Sequence, residues 1–402
     1  MSAMSRYVIV GGGLAAASAI EGIRDLDKDG EVTVVSAERE LPYHRPPLSK
    51  GYLAGREQFE SVRIHDAPWY RDNRVRYRLG VEAKSVHMKK QSVTLASGER
   101  LEYDKMLLAT GSHARRLAVP GADTPGVYLL RTVAESTALK AALQPGVKVV
   151  VVGGSFVGME VAATAAGLGA EATVLEMGPA VYGRFADPQL SDFFQRMLES
   201  HGVTIRTGVR VARIRSVAGK LAGVTTETDE QYPADLVVAG VGAEPNTGWL
   251  ANSGFGIDRG GLVVNVRLET NAPNVWAAGD VARFPDPITR QPRRLEHWDN
   301  ALMQGKQAGR NMAGAEEPYV HQSAYFSDLF DVTVNVLGDT DRPDVVQIRG
   351  STDLAAPHFT ARYVRDHKLT GAVLVNLNTA NRTEEFVDLQ RAIAAGDSVE
   401  GV

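Results

Sequence analysis

The sequence predicts an α/β protein made of two similar βαβ units followed by a smaller α+β domain. Three observations lead there. The run Val8-Ile-Val-Gly-Gly-Gly13 recurs as Val150-Val-Val-Gly-Gly-Ser155, an internal repeat in which a β-branched strand runs into a glycine turn. The chain has 402 residues, and at roughly 150 residues per domain it has room for both copies and a third body. From about residue 321 the pattern changes to short β-like runs and a closing amphipathic helix.

Taken in order, each copy has a β-branched run, a glycine turn and a stretch of small residues (Ala15 to Ala19; Ala162 to Ala166). A second β-like run follows (Val32 to Val35; Ala172 to Leu175). This is the order strand, tight turn, helix, parallel strand. Gly167 and Gly169 are placed to close the second helix. The runs Val93-Thr-Leu95, Lys105 to Ala109, Leu221 to Thr228 and Ala234 to Val241 are expected as antiparallel additions to the two lobes. Pro/Gly-rich stretches at Val119 to Gly126 and Gly242 to Asn246 mark exits from the lobes, and Asn274 to Asp280 reads as a strand end returning to the first. Val332 to Val336, His358 to Val364, Thr370 to Val375 and the helix Glu384 to Ala394 form the last domain. The expected division is 1–115 with 245–320, then 116–244, then 321–402.

Composition narrows the function. Lys and Arg number 44 against 48 Asp and Glu, a net charge of -4, so no bulk positive field exists to hold nucleic acid or an anionic membrane. There is no cysteine, which excludes disulfides, thiolate metal sites, iron–sulfur ligation and a cysteine nucleophile. The nine histidines show no metal-site spacing, so no metal is expected. No stretch approaches the ~18 apolar residues of a membrane span, and Tyr7 to Val10 enters the glycines with no room for a signal peptide. A cytoplasmic location is therefore expected.

The motif Gly11-x-Gly13-x-x-Ala16 follows a strand and opens a helix. There, glycines permit a tight turn and close approach of backbone to a pyrophosphate at the helix N-terminus, with Leu14 and Ala15 in the first turn. Its acidic partner is Glu38, a little beyond the usual spacing of ~20 residues. The second copy, Gly153-x-Ser155-x-x-Gly158, has Ser at its middle position, so the turn sits further from phosphate or uses the hydroxyl as a donor. Glu176 stands about 20 residues on, where a carboxylate accepts from a ribose 2′-OH and repels a 2′-phosphate, favouring NADH over NADPH. Taken singly, the first motif also reads as a plain glycine turn and Glu176 as a solvated strand-end charge.

With both fingerprints, Leu107-Leu-Ala-Thr-Gly111 and Ala277-Ala-Gly-Asp280, the sequence resembles the flavoprotein family with two dinucleotide-binding domains and the glutathione reductase fold. Pro42-Tyr-His-Arg-Pro-Pro-Leu-Ser-Lys50, Tyr128-Leu-Leu-Arg-Thr132, Arg294-Leu-Glu-His-Trp-Asp-Asn-Ala301 and Tyr325-Phe-Ser-Asp-Leu-Phe330 are similar to the ferredoxin reductases of oxygenase systems and their relative, apoptosis-inducing factor. Tyr325-Phe326 and Leu329 depart from the Phe-Trp and Gln that many of those reductases carry.

The resemblance implies two Rossmann-like domains, the first for FAD and the inserted second for NAD, with a C-terminal interface domain. The first fingerprint, notably Ala15, is expected to take the FAD pyrophosphate. Arg45, Lys50, Ala83, Thr110, Gly111 and Arg131 match positions that touch FAD. Asp280 matches the residue that binds the ribityl hydroxyls, and Trp298 one that lies against the flavin. Lys50 resembles the lysine beside flavin N5, paired with the glutamate matching Glu160; a cation there stabilises the reduced flavin, and a buried cation requires a partner. Gly153, Ser155, Phe156, Val157, Gly158, Glu176, Arg184 and Gly242 are the expected NAD positions, with Phe156 and Val157 seating the nicotinamide. On residues alone, Lys50 reads equally as a solvated loop lysine, Glu160 as a first-turn helix carboxylate and Trp298 as a core aromatic.

The missing cysteines separate branches of this family. Disulfide reductases need a redox-active cysteine pair, and the related NADH oxidases and peroxidases need one cysteine. Electrons must instead leave the flavin for an external acceptor. The expected function is an NADH-dependent reductase passing electrons via FAD to a ferredoxin of the two-iron type, serving an oxygenase system, with a homodimer as the expected assembly. Alternatives are a reductase for rubredoxin or a small radical, and an NADH-responsive flavoprotein akin to apoptosis-inducing factor. Arg71, Arg74, Arg76 and Arg78, or Arg290, Arg293 and Arg294, are candidate basic patches for an acidic ferredoxin.

Overall fold

The computed structural model describes residues 4–378 and 383–398, so positions 379–382 and 399–402 of the predicted last domain lie outside the described residues. The chain divides into two compact units. The first comprises Met1–His44, Phe59–His113 and Glu244–Ser323, and the second Arg45–Gln58, Ala114–Ala243 and Ala324–Val402.

The first unit is built on a five-stranded parallel sheet in the order Val275–Ala277, Lys105–Leu108, Arg6–Val10, Glu31–Ser36, Val75–Leu79. Val8 pairs with Thr33 on one side and Met106 on the other. The helix Leu14–Leu26 follows the first strand and packs on the helix Trp298–Met312. The contact is close because both faces are small. A Cβ at Gly305 would lie 2.3 Å from the Ala15 carbonyl oxygen, and one at Gly309 would lie 2.1 Å from that of Ala19. A short antiparallel sheet of Ala83–His87, Ser92–Leu95 and Arg100–Glu102 belongs to the same unit.

The second unit repeats the plan. Its parallel sheet runs Thr204–Arg206, Glu171–Leu175, Lys148–Val152, Leu236–Ala239, Val127–Tyr128. The helix Phe156–Gly167 follows the central strand. An antiparallel sheet of Val211–Val217, Lys220–Thr226 and Gln231–Tyr232 is appended. The C-terminal part of the same unit is a five-stranded antiparallel sheet, Ala324–Leu329, Val332–Gly338, Lys368–Leu377, His358–Arg365, Val345–Ser351, with the helix Thr383–Ala395.

The structure corrects the expectation for two strands. Lys105–Leu108 and Leu236–Ala239 are parallel members of the two main sheets, not antiparallel additions. Met106, Leu107 and Leu108 are wholly buried, and all four residues of Leu236–Ala239 are buried. A continuous apolar run of that kind belongs in a parallel sheet covered on both faces, whereas a half-solvated antiparallel strand alternates. The runs around Val93 and Leu221 are antiparallel as expected. Among the described residues no helix is long and apolar enough to cross a membrane.

Candidate functional site

In the first fingerprint Gly11 has φ +125, and a Cβ there would lie 2.0 Å from the Ala109 carbonyl oxygen. Only glycine satisfies both the conformation and the space. Gly13 is the N-cap of the helix Leu14–Leu26; no side chain caps that end and no acidic residue occupies its first turn. The helix therefore begins with unfilled amide donors and the positive end of its dipole, beside a turn with no side chains. A dinucleotide pyrophosphate fits this cradle, which an acidic or capped first turn would oppose. Glu38 follows the second strand, where its carboxylate accepts from the Tyr43 hydroxyl. Thr110 is cross-tied to Asn246, donating to its carbonyl and accepting from its side-chain amide, each at 2.9 Å. Gly111 has φ +64 and open space where its Cβ would be. Ala83 opens the strand Ala83–His87 of the antiparallel sheet.

Asp280 is buried in a helical turn, Gly279–Val281, directly after the strand Val275–Ala277. Ser112 Oγ donates to its Oδ2 at 2.6 Å, and Arg294 donates to its backbone carbonyl at 3.0 Å. Gly279 in turn donates to Gln304 Oε1 at 2.9 Å. Trp298 is the first residue of the helix Trp298–Met312, and its indole Nε1 donates to His44 Nδ1 at 3.0 Å. Sequence reasoning missed Ser112, Gln304 and His44. Ser112 directly follows a motif singled out, but nothing in its spacing names Asp280 as its partner.

The second unit holds the second fingerprint. Gly153 has φ +111 with its Cβ position 2.4 Å from the Gly240 carbonyl, and a Cβ on Gly158 would meet the Gly153 carbonyl at 2.1 Å. The third glycine thus lets helix and strand close together. Ser155 is the helix N-cap, yet its hydroxyl makes no capping bond. Glu176 Oε2 accepts from the Gly154 amide and Oε1 from the Gly178 amide, both at 2.6 Å, so the carboxylate closes the loop. Phe156 and Val157 open the helix: Phe156 meets Tyr182, Phe185 and Tyr325 edge to face, and Val157 is exposed. Arg184 is exposed on the short turn Gly183–Phe185, and Gly242 (φ +98) has open space at its Cβ. This arrangement fits a second dinucleotide.

Also in the second unit, Lys50 and Glu160 form an ion pair. Lys50 Nζ lies 3.0 Å from Glu160 Oε1, with the side chains 14% and 7% exposed. The solvated-lysine reading is thereby replaced. Glu160 stands past the first turn of its helix, so the dipole reading is replaced as well. Ser49 Oγ donates to Glu160 Oε2 and Ser327 Oγ to Oε1 at 2.7 Å. Burial, and then the charge of Glu160, pushes the Tyr182 phenol well above its ordinary range. The face of Phe326 lies 5.4 Å from Lys50 Nζ. Arg45 donates to the Arg131 carbonyl at 2.6 Å, and the Arg131 amide donates to Glu135, which with Thr132 forms a capping box on the helix Val133–Ala142.

The candidate basic patch of the first unit is neutralised locally. Arg71, Arg74, Arg76 and Arg78 lie 3.4, 2.9, 3.6 and 3.3 Å from Asp72, Asp29, Glu31 and Glu99. Arg293 and Arg294 pair with Asp286 and Glu296. Among the described residues no group of three or more His, Asp or Glu could hold a metal ion.

Residues 5–305 match the model of the family described as pyridine nucleotide-disulphide oxidoreductase. The chain belongs to that family. It is 36% identical to the probable ferredoxin reductase CtmF of Castellaniella defragrans, over 94% of this chain and 91% of that protein. It is 32% identical to putidaredoxin reductase CamA of Pseudomonas putida, over 96% and 91%. Among solved structures it matches putidaredoxin reductase in the covalent putidaredoxin reductase–putidaredoxin complex with TM-score 0.92 and 30% identity, over 98% and 94%. The ferredoxin reductase for the CYP199A2 system from Rhodopseudomonas palustris matches with TM-score 0.92 and 32% identity, over 98% and 96%. The protein is therefore an oxidoreductase of the FAD-dependent ferredoxin reductase type, with FAD and NAD(H) as cofactors and the glutathione reductase-like fold. It carries the family's fingerprints without the cysteines that the family's name implies.

Proposed function

We propose that this protein takes electrons from NADH and delivers them via FAD to a two-iron ferredoxin of an oxygenase system. The observation that carries the reading is the absence of cysteine from a chain with both dinucleotide fingerprints. With no thiol to accept a pair of electrons, the acceptor must be external, and the likeness to ferredoxin reductases over nearly the whole chain supplies its class. FAD, when bound, supplies the step between a two-electron donor and a one-electron acceptor.

This chain's own residues then have the following roles. The amides of Gly13, Leu14 and Ala15, beside Gly11, hold the FAD pyrophosphate. Glu38, Arg45, Ala83, Thr110, Gly111, Arg131, Asp280 and Trp298 complete the FAD set. Gly153, Ser155, Gly158 and Glu176 hold NADH together with Phe156, Val157, Arg184 and Gly242. Lys50 and Glu160 are the catalytic pair, a buried cation held ready against its carboxylate. Residues 1–115 with 245–320 form the FAD domain, 116–244 the NAD domain and 321–402 the interface domain. Support for these roles comes from the open helix start at Gly13, the uncapped hydroxyl of Ser155 and the desolvated Lys50–Glu160 pair.

The test is stopped-flow reoxidation of the NADH-reduced protein against a panel of two-iron ferredoxins and rubredoxins. At least one two-iron ferredoxin should be reduced in rapid turnover. Slow reoxidation by every protein in the panel, with a long-lived charge-transfer absorbance, would instead support an NADH-responsive flavoprotein.

A further inference from the structure

We propose that His44 is a positioning residue for Trp298: its neutral imidazole accepts the indole N–H, and protonation of the ring releases the indole. The inference rests on the reading above only in placing Trp298 against the flavin.

An indole nitrogen can only donate. Trp298 Nε1 is 3.0 Å from His44 Nδ1, so Nδ1 must carry a lone pair, and the single ring proton of His44 resides on Nε2. The imidazolium ion has donors at both nitrogens and cannot take this bond. The rings are 5.6 Å apart and tilted by 46°, so they do not stack, and the hydrogen bond is the directional element of the contact. The position of His44 is itself fixed, since its backbone amide donates to the Val62 carbonyl at 2.8 Å.

The surroundings favour the neutral ring. Burial lowers the His44 pKa, and the charge of His65 lowers it further. His65 pairs with Glu21 of the first helix and stacks on Trp69. On the Trp298 side, Asp299 is bonded to His321, and His297 faces Ser323. Glu38, on the chain segment that leads to His44, accepts from the Tyr43 hydroxyl. Each of these carboxylates has a hydrogen-bond partner of its own. Proton uptake at His44 therefore occurs only below the ordinary histidine value of about 6.5, and it costs the indole its acceptor.

The experiment is ¹⁵N NMR of the four tryptophan indoles in the FAD-loaded full-length protein, with Trp298 assigned by its loss in Trp298→Phe. In the wild type, the Trp298 N–H resonance should be hydrogen-bonded at pH 8. It should titrate as a single step to a non-bonded position, with a midpoint below about 6.5. His44→Gln keeps a carbonyl acceptor, so it should retain the bonded resonance and abolish the titration. His44→Leu should give the released resonance at every pH. A Trp298 resonance that ignores pH between 8 and 5, or that is unchanged in His44→Leu, overturns the proposal. The flavin absorption band followed in the same samples should shift with the same midpoint. A band that stays fixed while the indole titrates overturns the placing of Trp298 against the flavin. Failure of the ferredoxin assay in wild type would count against the proposed function, and the indole titration would still decide on His44.

Discussion

At Glu176 the carboxylate accepts from the Gly154 and Gly178 amides, so substitution there has two consequences of different kind. Flavin reduction should be faster with NADH than with NADPH, because the 2′-phosphate would approach a carboxylate while Met177 beside it supplies no cation. Glu176→Ala should narrow that preference by about 1 to 3 kcal/mol. The same change strips two loop amides of their acceptor, so KM should rise for both nucleotides. Steady-state kinetics with each cofactor measures both effects, and equal kcat/KM values in the wild type would refute the role. At Lys50 and Glu160 the prediction concerns sign. Lys50→Met removes a cation and should slow reduction and lower the flavin potential, whereas Glu160→Gln leaves Lys50 uncompensated and should raise it. A double-mutant cycle on rates and potentials separates coupling from simple structural support. Wild-type values in both single variants would return Lys50 to the rank of an ordinary lysine. The importance of this pair was legible only through motif resemblance; its serine partners, Ser49 and Ser327, sat inside quoted motifs without showing that they converge on one carboxylate.

At the scale of elements, the glycine turns make the sharpest predictions, because a methyl group has nowhere to go. Gly11→Ala would need φ +125 and a Cβ 2.0 Å from a carbonyl oxygen. The purified variant should therefore come without FAD, as judged by the flavin-to-protein absorbance ratio. Gly309→Ala would drive its methyl against the Ala19 carbonyl at 2.1 Å and push two helices apart. Overpacking of this kind costs about 1 to 3 kcal/mol, measurable as a lower midpoint in urea unfolding. An unchanged midpoint would mean that the two helices slide without penalty. The strands Lys105–Leu108 and Leu236–Ala239 show where local pattern misleads at this scale. They are expected as antiparallel additions, but an unbroken apolar run is what a sheet interior covered on both faces demands.

For the whole molecule, the expectation is one FAD per chain and turnover insensitive to thiol alkylation. There is one FAD-type cradle in the first unit, and the chain has no cysteine. Iodoacetamide at concentrations that inactivate a disulfide reductase of this family should leave NADH oxidation intact; inactivation would mean that turnover depends on an alkylatable side chain other than cysteine.

Sequence alone determined the double βαβ plan, the two glycine turns that open the helices and the exclusion of thiol chemistry. Each rests on local features: a β-branched run, glycines at fixed offsets, and a residue type that is absent. Tertiary structure decided which residues meet. Arg45–Gln58 follows the first strand-turn-helix unit in sequence, yet it groups with the second unit. Its carbonyls there accept from side chains of later helices, Leu48 from Ser136 at 2.7 Å and Ser49 from Thr164 at 2.8 Å. The same packing brings Ser327 to Glu160, and in the first unit it brings His44 to Trp298. Partners separated by 88 residues or more leave no periodic trace in a chain, because hydrophobic period and turn chemistry encode an element's own face, whereas such contacts depend on where that face comes to rest.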